Sequence, residues 1–260
     1  MNKIALFVGI LFFFIGCQTP NTKQNTTEIK PEIQQVPNNL VTFPSKDGIE
    51  IAAKLYEINK TAPVILLCHQ ARFNKFEYEG IAQRLNGLGF NCVAIDQRSG
   101  GPIANQVNET TIRAKKAGKP IEFLDAEQDM EAAIDWVHQR YQKPMTLWGS
   151  SYSSTLALYL AAKNEKVGSV VSFSPGNYFA EKKGSLIELL EGFKKPMFVT
   201  SSKQEAEGLG KLVGKMKMSD KQVMFSPKEN GHHGSRALWE NQHGGAEYWE
   251  ALTAFLKGIK

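Results

Sequence analysis

The feature of this chain that most limits its fold is a regular alternation of strand-like and helix-like segments from Leu40 onward. Short apolar runs alternate with stretches whose apolar residues recur at helical spacing. Repeated β-α-β units predict one α/β domain, in which helices cover both faces of a mostly parallel sheet. The predicted strands are 40–43, 49–57, 64–68, 91–96, 145–148, 167–173, 197–200 and 222–225. The predicted helices lie within 78–88, 126–137, 155–163, 179–193 and 205–218, with Asp125 as the N-cap of the second, and a terminal helix includes 247–256.

The segment W-G-S-S-Y-S at 148–153 joins a predicted strand to a predicted helix. In that context a sharp turn lifts one serine hydroxyl out of the strand end, and the residues two before and two after it must be small. With Ser151 at the centre, those flanking residues are Gly149 and Ser153, whereas with Ser150 a tryptophan would occupy the crowded position. The pattern G-x-S-x-S therefore predicts a nucleophile at Ser151, with a serine-rich turn as the alternative.

A nucleophilic serine needs a base, and the base needs an orienting acid, both placed after strands of the sheet. After the last predicted strand the chain reads N-G-H-H-G-S at 230–235. We assign the base to His233, because His-Gly is the usual form of this loop, with His232 as the alternative. The first carboxylate after the preceding strand is Glu205, which we assign as the acid. Glu207 is the second candidate, although a carboxylate in a first helical turn is also favoured by the helix dipole.

An oxyanion hole needs backbone N–H groups aimed at a developing negative charge. One donor is predicted at Tyr152, directly after the nucleophile, where a helix N-terminus adds its dipole. The other is predicted in the loop after the third strand, at Gln70, with Ala71 as the alternative. His69 ends that strand, and we interpret it as structural.

Two further loops follow predicted strand ends. Asp96 and Arg98 come after the fourth strand, and we interpret them as a loop-bracing salt bridge. The stretch 97–120 that follows is long, basic and irregular in pattern, and it is expected to approach the substrate. The segment 174–178, which follows the sixth strand, is expected to line the same pocket.

Composition limits the classes of function. The formal net charge is +5, and no basic run is interleaved with aromatic residues, so no nucleic-acid partner is expected. Cys68 and Cys92 lie in apolar runs and are predicted to be buried thiols. No Cys/His spacing is typical of a zinc site, and neither a metal nor another cofactor is expected.

The first 17 residues predict a targeting segment. Lys3 precedes an apolar stretch, 4–16, that is shorter than the ~20 residues needed to span a bilayer. The stretch ends in F-I-G-C, which resembles the lipobox of bacterial lipoproteins and implies lipidation of Cys17 and a place in the bacterial cell envelope. Residues 18–39, rich in Thr, Asn, Gln and Pro, predict a flexible tether to a domain at 40–260. An ordinary secretory signal with an incidental cysteine, or an uncleaved anchor, is the alternative.

Six segments spread over 40–260 read C-H-Q-A, A-I-D-Q-R-S-G-G, L-W-G-S-S-Y-S, S-F-S-P-G, V-T-S-S-K-Q-E and G-H-H-G-S-R-A-L. Together they resemble bacterial α/β-hydrolases related to dienelactone hydrolases. The resemblance implies an eight-stranded α/β-hydrolase fold and hydrolysis of esters or lactones. It carries the nucleophile, acid and base onto Ser151, Glu205 and His233. Dienelactone hydrolases use a cysteine nucleophile, so the serine departs from their pattern, as does Ser153 in place of the usual second glycine.

The reaction expected from these residues is acyl transfer in two steps. Ser151, deprotonated by His233, attacks the carbonyl of a small ester or lactone, and the amides of Tyr152 and Gln70 hold the oxyanion. His233 then activates water to release the acid. One alternative is a serine peptidase of the prolyl-oligopeptidase type, which uses the same triad. The other is a non-catalytic lipoprotein that uses the fold to bind a ligand.

Overall fold

The computed structural model of the protein describes residues 39–260. The predicted signal peptide, Cys17 and all but the last residue of the predicted tether lie outside the described residues. The strands are β1 (Leu40–Pro44), β2 (Glu50–Tyr56), β3 (Val64–Cys68), β4 (Asn91–Ile95), β5 (Met145–Ser150), β6 (Val167–Phe173), β7 (Met197–Thr200) and β8 (Gln222–Phe225). The α-helices are α1 (Glu79–Gly87), α2 (Glu109–Lys116), α3 (Ala126–Tyr141), α4 (Tyr152–Lys163), α5 (Ala180–Lys183), α6 (Leu186–Glu191), α7 (Ala206–Val213) and α8 (Gly245–Gly258). Short 3₁₀ helices span Lys75–Tyr78, Lys203–Glu205 and Ser235–Leu238.

The strands form one eight-stranded sheet in the order β1-β2-β4-β3-β5-β6-β7-β8. β2 pairs antiparallel with both β1 and β4, and every other neighbouring pair is parallel. The hairpin between β1 and β2 turns at Gly48, whose φ of +82° is readily adopted by glycine. The predicted mostly parallel, eight-stranded α/β architecture is confirmed.

Helices cover both faces of the sheet because the central strands are apolar on both sides. Alternate residues of β3 enter two different cores: Val64 and Leu66 belong to one, and Ile65 and Leu67 to the other. The first core is closed by α3, α4, α6 and α7, and the second by α1 and α8. The predicted burial of the Cys68 and Cys92 thiols is confirmed. Within the described part of the chain, no helix is long and apolar enough to cross a membrane.

The structure corrects three local predictions. The stretch 97–120, predicted to be irregular, contains helix α2. The single helix predicted within 179–193 is two short helices, α5 and α6, separated at Gly184, which has a φ of +85°. Asp125 does stand at the N-cap position of α3, but its carboxylate accepts the N–H of Glu122 instead of capping the helix.

The salt bridge expected from Asp96 and Arg98 is also wrong in its pairing. Asp96 pairs with the buried Lys75 at 3.0 Å. Arg98 pairs with Asp129 at 2.7 Å and with Asp47 at 2.8 Å. Both residues therefore brace loops after β4, but each does so through its own partners.

Candidate active site

Ser151 occupies the sharp turn between β5 and α4. Its φ of 58° and ψ of −125° place a non-glycine residue in a strained conformation of the kind that clusters at functional sites. A Cβ atom on Gly149 would overlap the backbone of Ser153 and Ser154, so this position requires glycine. The turn is also fixed by the N–H of Ser151, which donates at 2.8 Å to the carbonyl of Phe173, the last residue of the neighbouring strand β6.

Ser153 and Ser150, the two neighbouring serines, are fully buried and serve the turn itself. The hydroxyl of Ser153 accepts the N–H of Ser150 at 2.9 Å and donates to the carbonyl of Cys68, at the end of β3, at 2.8 Å. A serine in place of the second glycine therefore ties the turn to the sheet. The hydroxyl of Ser150 donates to the buried carboxylate of Glu77. Of the three serines, only Ser151 is partly exposed.

The structure brings Ser151, His233 and Glu205 into one hydrogen-bonded line. The Oγ atom of Ser151 lies 2.7 Å from Nε2 of His233. The Nδ1 atom of His233 lies 2.5 Å from Oε1 of Glu205. The side chains of His233 and Glu205 are 37% and 35% exposed, so the line is open to a molecule from solution. His232, the alternative base, makes no hydrogen bond to Ser151 or Glu205 among the residues described.

Glu205 is held rigidly as a carboxylate. Its Oε2 atom accepts the N–H of Ser202 at 3.1 Å, the hydroxyl of Ser202 at 2.8 Å and the hydroxyl of Ser174 at 2.9 Å. Burial alone would raise the pKa of Glu205, but the hydrogen bonds from His233, Ser202 and Ser174 outweigh it and lower the pKa to about 2. Glu207, the alternative acid, is exposed and pairs with Lys211 at 2.6 Å.

Ser174 connects the loops of the proposed acid and base, although the sequence predicted only that it lines the pocket. It stands directly after β6 with a φ of 56°, and its hydroxyl accepts the N–H of Gly234 at 3.0 Å while it donates to Glu205. Gly234 itself has a φ of +71° and follows His233. One hydroxyl therefore joins the loop of the acid to the loop of the histidine. The S-F-S-P-G segment placed this serine at the right strand end, but nothing in the sequence indicated its two partners.

The prediction that Gln70 donates to an oxyanion is wrong, because its N–H already donates to Oε2 of Glu77 at 2.8 Å. The alternative, Ala71, has a backbone N–H for which residues 39–260 supply no acceptor. The N–H of Tyr152, in the first turn of α4, is likewise without an acceptor within that range. Two free amides on different elements are what an oxyanion hole requires.

The surroundings of the turn are fixed by buried polar contacts and one aromatic stack. His69 is fully buried, and its Nε2 atom accepts the N–H of Gln97 at 2.9 Å, as expected for the structural residue that the sequence predicted. Burial lowers the pKa of its imidazole. The ring of Tyr152 stacks on the partly exposed Phe123 at a centroid distance of 4.9 Å. Across the described residues, no cluster of His, Cys, Asp or Glu side chains is arranged to hold a metal ion.

Comparison with known proteins identifies the fold. No protein-family model matches the sequence, and no curated protein is similar to it in sequence. An esterase of Pyrococcus furiosus superposes with a TM-score of 0.64 at 16% identity, covering 85% of this chain and 91% of its own. A thermostable carboxyl esterase of Bacillus coagulans superposes with a TM-score of 0.63 at 13% identity, over 85% and 98% of the two chains. A dienelactone hydrolase-like protein of Klebsiella pneumoniae superposes with a TM-score of 0.62 at 11% identity, covering 84% of this chain and 97% of its own. The chain has the α/β-hydrolase fold.

Proposed function

We propose that the protein is a serine hydrolase that cleaves a carboxylic ester or lactone through an acyl-enzyme intermediate. The observation that carries the proposal is the hydrogen-bonded line of Ser151, His233 and Glu205, with distances of 2.7 Å and 2.5 Å. Two solved structures with the same fold are described as esterases, which supports the same reaction class here.

In the proposed mechanism, Nε2 of His233 takes the proton of Ser151 as Oγ attacks the carbonyl carbon. The amides of Tyr152 and Ala71 donate to the oxyanion that forms. His233 returns the proton to the leaving alkoxide, and the acyl group stays on Ser151. Water, deprotonated by His233, then attacks the acyl-enzyme, the bond to Oγ breaks to release the acid, and His233 returns the proton to Oγ of Ser151. Glu205 stays ionised throughout, since its pKa is about 2, and it stabilises the imidazolium.

The experiment that tests the function uses a fluorophosphonate probe and a panel of substrates. We expect the purified wild-type protein to be labelled on Ser151, with the site read by peptide mass spectrometry, and to hydrolyse aryl esters. Turnover of blocked dipeptides without turnover of esters would assign a peptidase instead. A protein that is neither labelled nor active on either class would support the ligand-binding alternative.

The acid assignment is tested by Glu205→Gln, which keeps the side-chain volume and removes the charge. We expect kcat for an aryl ester to fall by roughly several hundred-fold, because the imidazolium loses its counter-charge and its fixed tautomer. Since the pKa of Glu205 is about 2, the loss should be present at every pH from 5 to 9. Glu207→Gln is the matched control and should change kcat by less than about twofold. The opposite ranking would move the acid to Glu207.

We also propose that the protein is anchored in the bacterial cell envelope through a lipid on Cys17. The support is the F-I-G-C segment after the apolar stretch 4–16, followed by the polar residues 18–39. We expect Cys17→Ala to move the expressed protein from the detergent phase to the aqueous phase in a partitioning assay. Cys17→Ala protein that has lost its signal peptide and still partitions with detergent would rule out lipidation as the anchor.

A further inference from the structure

Glu77 has a buried carboxylate that the proposed mechanism does not use. It lies in the 3₁₀ helix Lys75–Tyr78, directly before α1, and is 1% exposed. Among residues 39–260 no cation lies within ion-pair distance of its carboxylate, whose hydrogen-bond donors are a backbone amide and a hydroxyl. Burial of a carboxylate without an ion-pair partner lowers stability, so its place beside the turn of Ser151 is a costly feature of the fold.

One oxygen of Glu77 controls the loop that supplies an oxyanion donor. Oε2 accepts the N–H of Gln70 at 2.8 Å. Ala71, the next residue, supplies the free amide of the proposed oxyanion hole. The carbonyl of Gln70, which shares a peptide plane with the amide of Ala71, accepts from Nδ1 of His69 at 2.8 Å and from the N–H of Phe73 at 3.2 Å. With the N–H of Gln70 fixed by Glu77, both peptide planes that meet at the Cα atom of Gln70 are held. Glu77 therefore occupies the amide of Gln70 and completes the restraint on the amide of Ala71.

The other oxygen of Glu77 reaches the two loops that carry the nucleophile and the base. Oε1 accepts the hydroxyl of Ser150, the residue before Ser151, at 2.8 Å. The same hydroxyl oxygen accepts the N–H of Ser235, two residues after His233, at 2.8 Å. A single carboxylate thus connects three loops, and each contact lies within two residues of a proposed reacting group.

We propose that Glu77 is a positioning residue for ester hydrolysis, which holds the amide of Ala71, the hydroxyl of Ser151 and the imidazole of His233 in one fixed arrangement. The inference rests on the proposed function, because it assigns Glu77 a role in the same reaction. It acts through Gln70, Ser150 and Ser235 and touches no reacting atom. Misplacement of an oxyanion donor affects the transition state more than the bound substrate, so kcat should fall while KM stays constant.

The test compares Glu77→Gln with Glu79→Gln. Glutamine keeps the volume of Glu77 but replaces one acceptor oxygen by an NH₂ group, which cannot accept from both donors. Glu79 lies two residues along, and its half-exposed carboxylate binds Lys54 at 2.6 Å, away from the three loops. Active sites are counted by complete fluorophosphonate labelling, and kcat is expressed per labelled site. We expect Glu77→Gln to lower this kcat by about tenfold or more, with KM within about twofold, and Glu79→Gln to match the wild type.

A purely structural role for Glu77 would reduce the number of labelled sites and leave kcat per site unchanged, and that result would overturn the proposal. If the wild type turns over no ester but is labelled on Ser151, the ester assignment fails alone. The labelling rate constant then tests Glu77, with a tenfold fall expected in Glu77→Gln and an unchanged rate overturning the proposal. Wild-type protein that is neither active nor labelled overturns both.

A second readout is independent of activity. Burial raises the pKa of the Glu77 carboxyl to about 7, although hydrogen bonds from Gln70 and Ser150 and the charge of Arg236 act to lower it. The other titratable groups near it are Cys68, Tyr78 and Tyr152. The pKa of this carboxyl is 4.5 in the unfolded chain and about 7 in the folded protein. Between these two pH values the folded protein binds more protons than the unfolded chain, so the carboxyl makes folding less favourable as the pH rises. We expect the Tm of Glu77→Gln to fall less than that of the wild type between pH 5 and pH 8.

Discussion

Ser151→Ala is expected to lower kcat for an aryl ester by about 10⁴-fold or more and to abolish fluorophosphonate labelling. The reason is that the substitution removes only the hydroxyl group, whose oxygen forms the acyl bond in the proposed mechanism. A 10⁴-fold loss corresponds to about 5 kcal/mol in the activation free energy. The fold should be unaffected, because the hydroxyl of Ser151 is partly exposed and its backbone keeps the N–H bond to Phe173. A Tm within roughly 2 °C of the wild type is the expected control.

Two further serine variants make this test specific. Ser219→Ala removes an exposed serine hydroxyl far along the chain and should leave kcat unchanged. Ser150→Ala should still be labelled on Ser151, with a lower kcat, because it cuts the connection from Glu77 to the turn. If Ser150→Ala abolished labelling and Ser151→Ala did not, the nucleophile would be assigned to the wrong serine.

His233→Ala is expected to lower kcat nearly as far as the loss of Ser151, because the hydroxyl is a weak nucleophile without a base within 3 Å. The Nε2 to Oγ distance of 2.7 Å shows that His233 is placed for this proton transfer. The double variant Ser151→Ala/His233→Ala should be no slower than either single variant, since residues that act as a unit have non-additive effects. Steady-state kinetics with one aryl ester measures all three.

His232→Ala is the matched control for His233→Ala. It removes an adjacent imidazole of the same size that lies beside Glu229 and His243, not beside Ser151. We expect kcat to change by less than about threefold. A large fall in kcat for His232→Ala together with a small fall for His233→Ala would contradict the geometry of the site. Loss of the His233 hydrogen bond should also raise the pKa of Glu205, since that bond is the largest of the interactions that lower it.

Much of the site could be predicted because parallel strands deliver their carboxyl ends to one edge of the sheet. Ser151, Glu205 and His233 follow β5, β7 and β8, so their approach needed only the strand pattern and the chain order. The choice of Glu205 over Glu207 had a further signal in the sequence. Ser202 and Glu205 form an S-x-x-E capping box at the start of the 3₁₀ helix Lys203–Glu205, in which the N–H and the hydroxyl of Ser202 both donate to the carboxylate of Glu205.

The sequence could not decide whether Gln70 or Ala71 is the proposed oxyanion donor, because two adjacent amides in the same loop differ only in their hydrogen-bond partners. Gln70 is excluded by the carboxylate of Glu77, and the segment K-F-E-Y gives no sign that this glutamate is buried. An acidic residue at the start of a helix is usually read as a solvated one that complements the helix dipole. Its hydrogen bonds reach Ser150 directly and Ser235 through the hydroxyl of Ser150, and these residues lie 73 and 158 positions further along the chain.

Helix α2 was missed for a different physical reason. Its buried residues are Thr110, Thr111 and Ala114, so it lacks the stripe of large apolar residues from which a helix is recognised. What fixes it is polar: Asn108 caps it by accepting the N–H of Thr111 at 2.8 Å, and Thr110 accepts the N–H of Ala52 on β2 at 2.9 Å. Contacts of this kind depend on neighbours distant in sequence and leave no periodic pattern.

The order of the strands in the sheet affects how heat or denaturant would remove the proposed activity. Ser151 follows β5, which is enclosed between β3 and β6 at the centre of the sheet, whereas His233 follows β8, a four-residue strand at its margin. Local opening of a marginal strand requires less free energy than melting of the core. Fraying of β8 would carry the imidazole away while the nucleophile remained in an intact sheet. Heat or mild denaturant would then abolish the proposed hydrolase activity reversibly before global unfolding. The stability of β8, at the edge of the sheet, would set the highest temperature at which the protein is active.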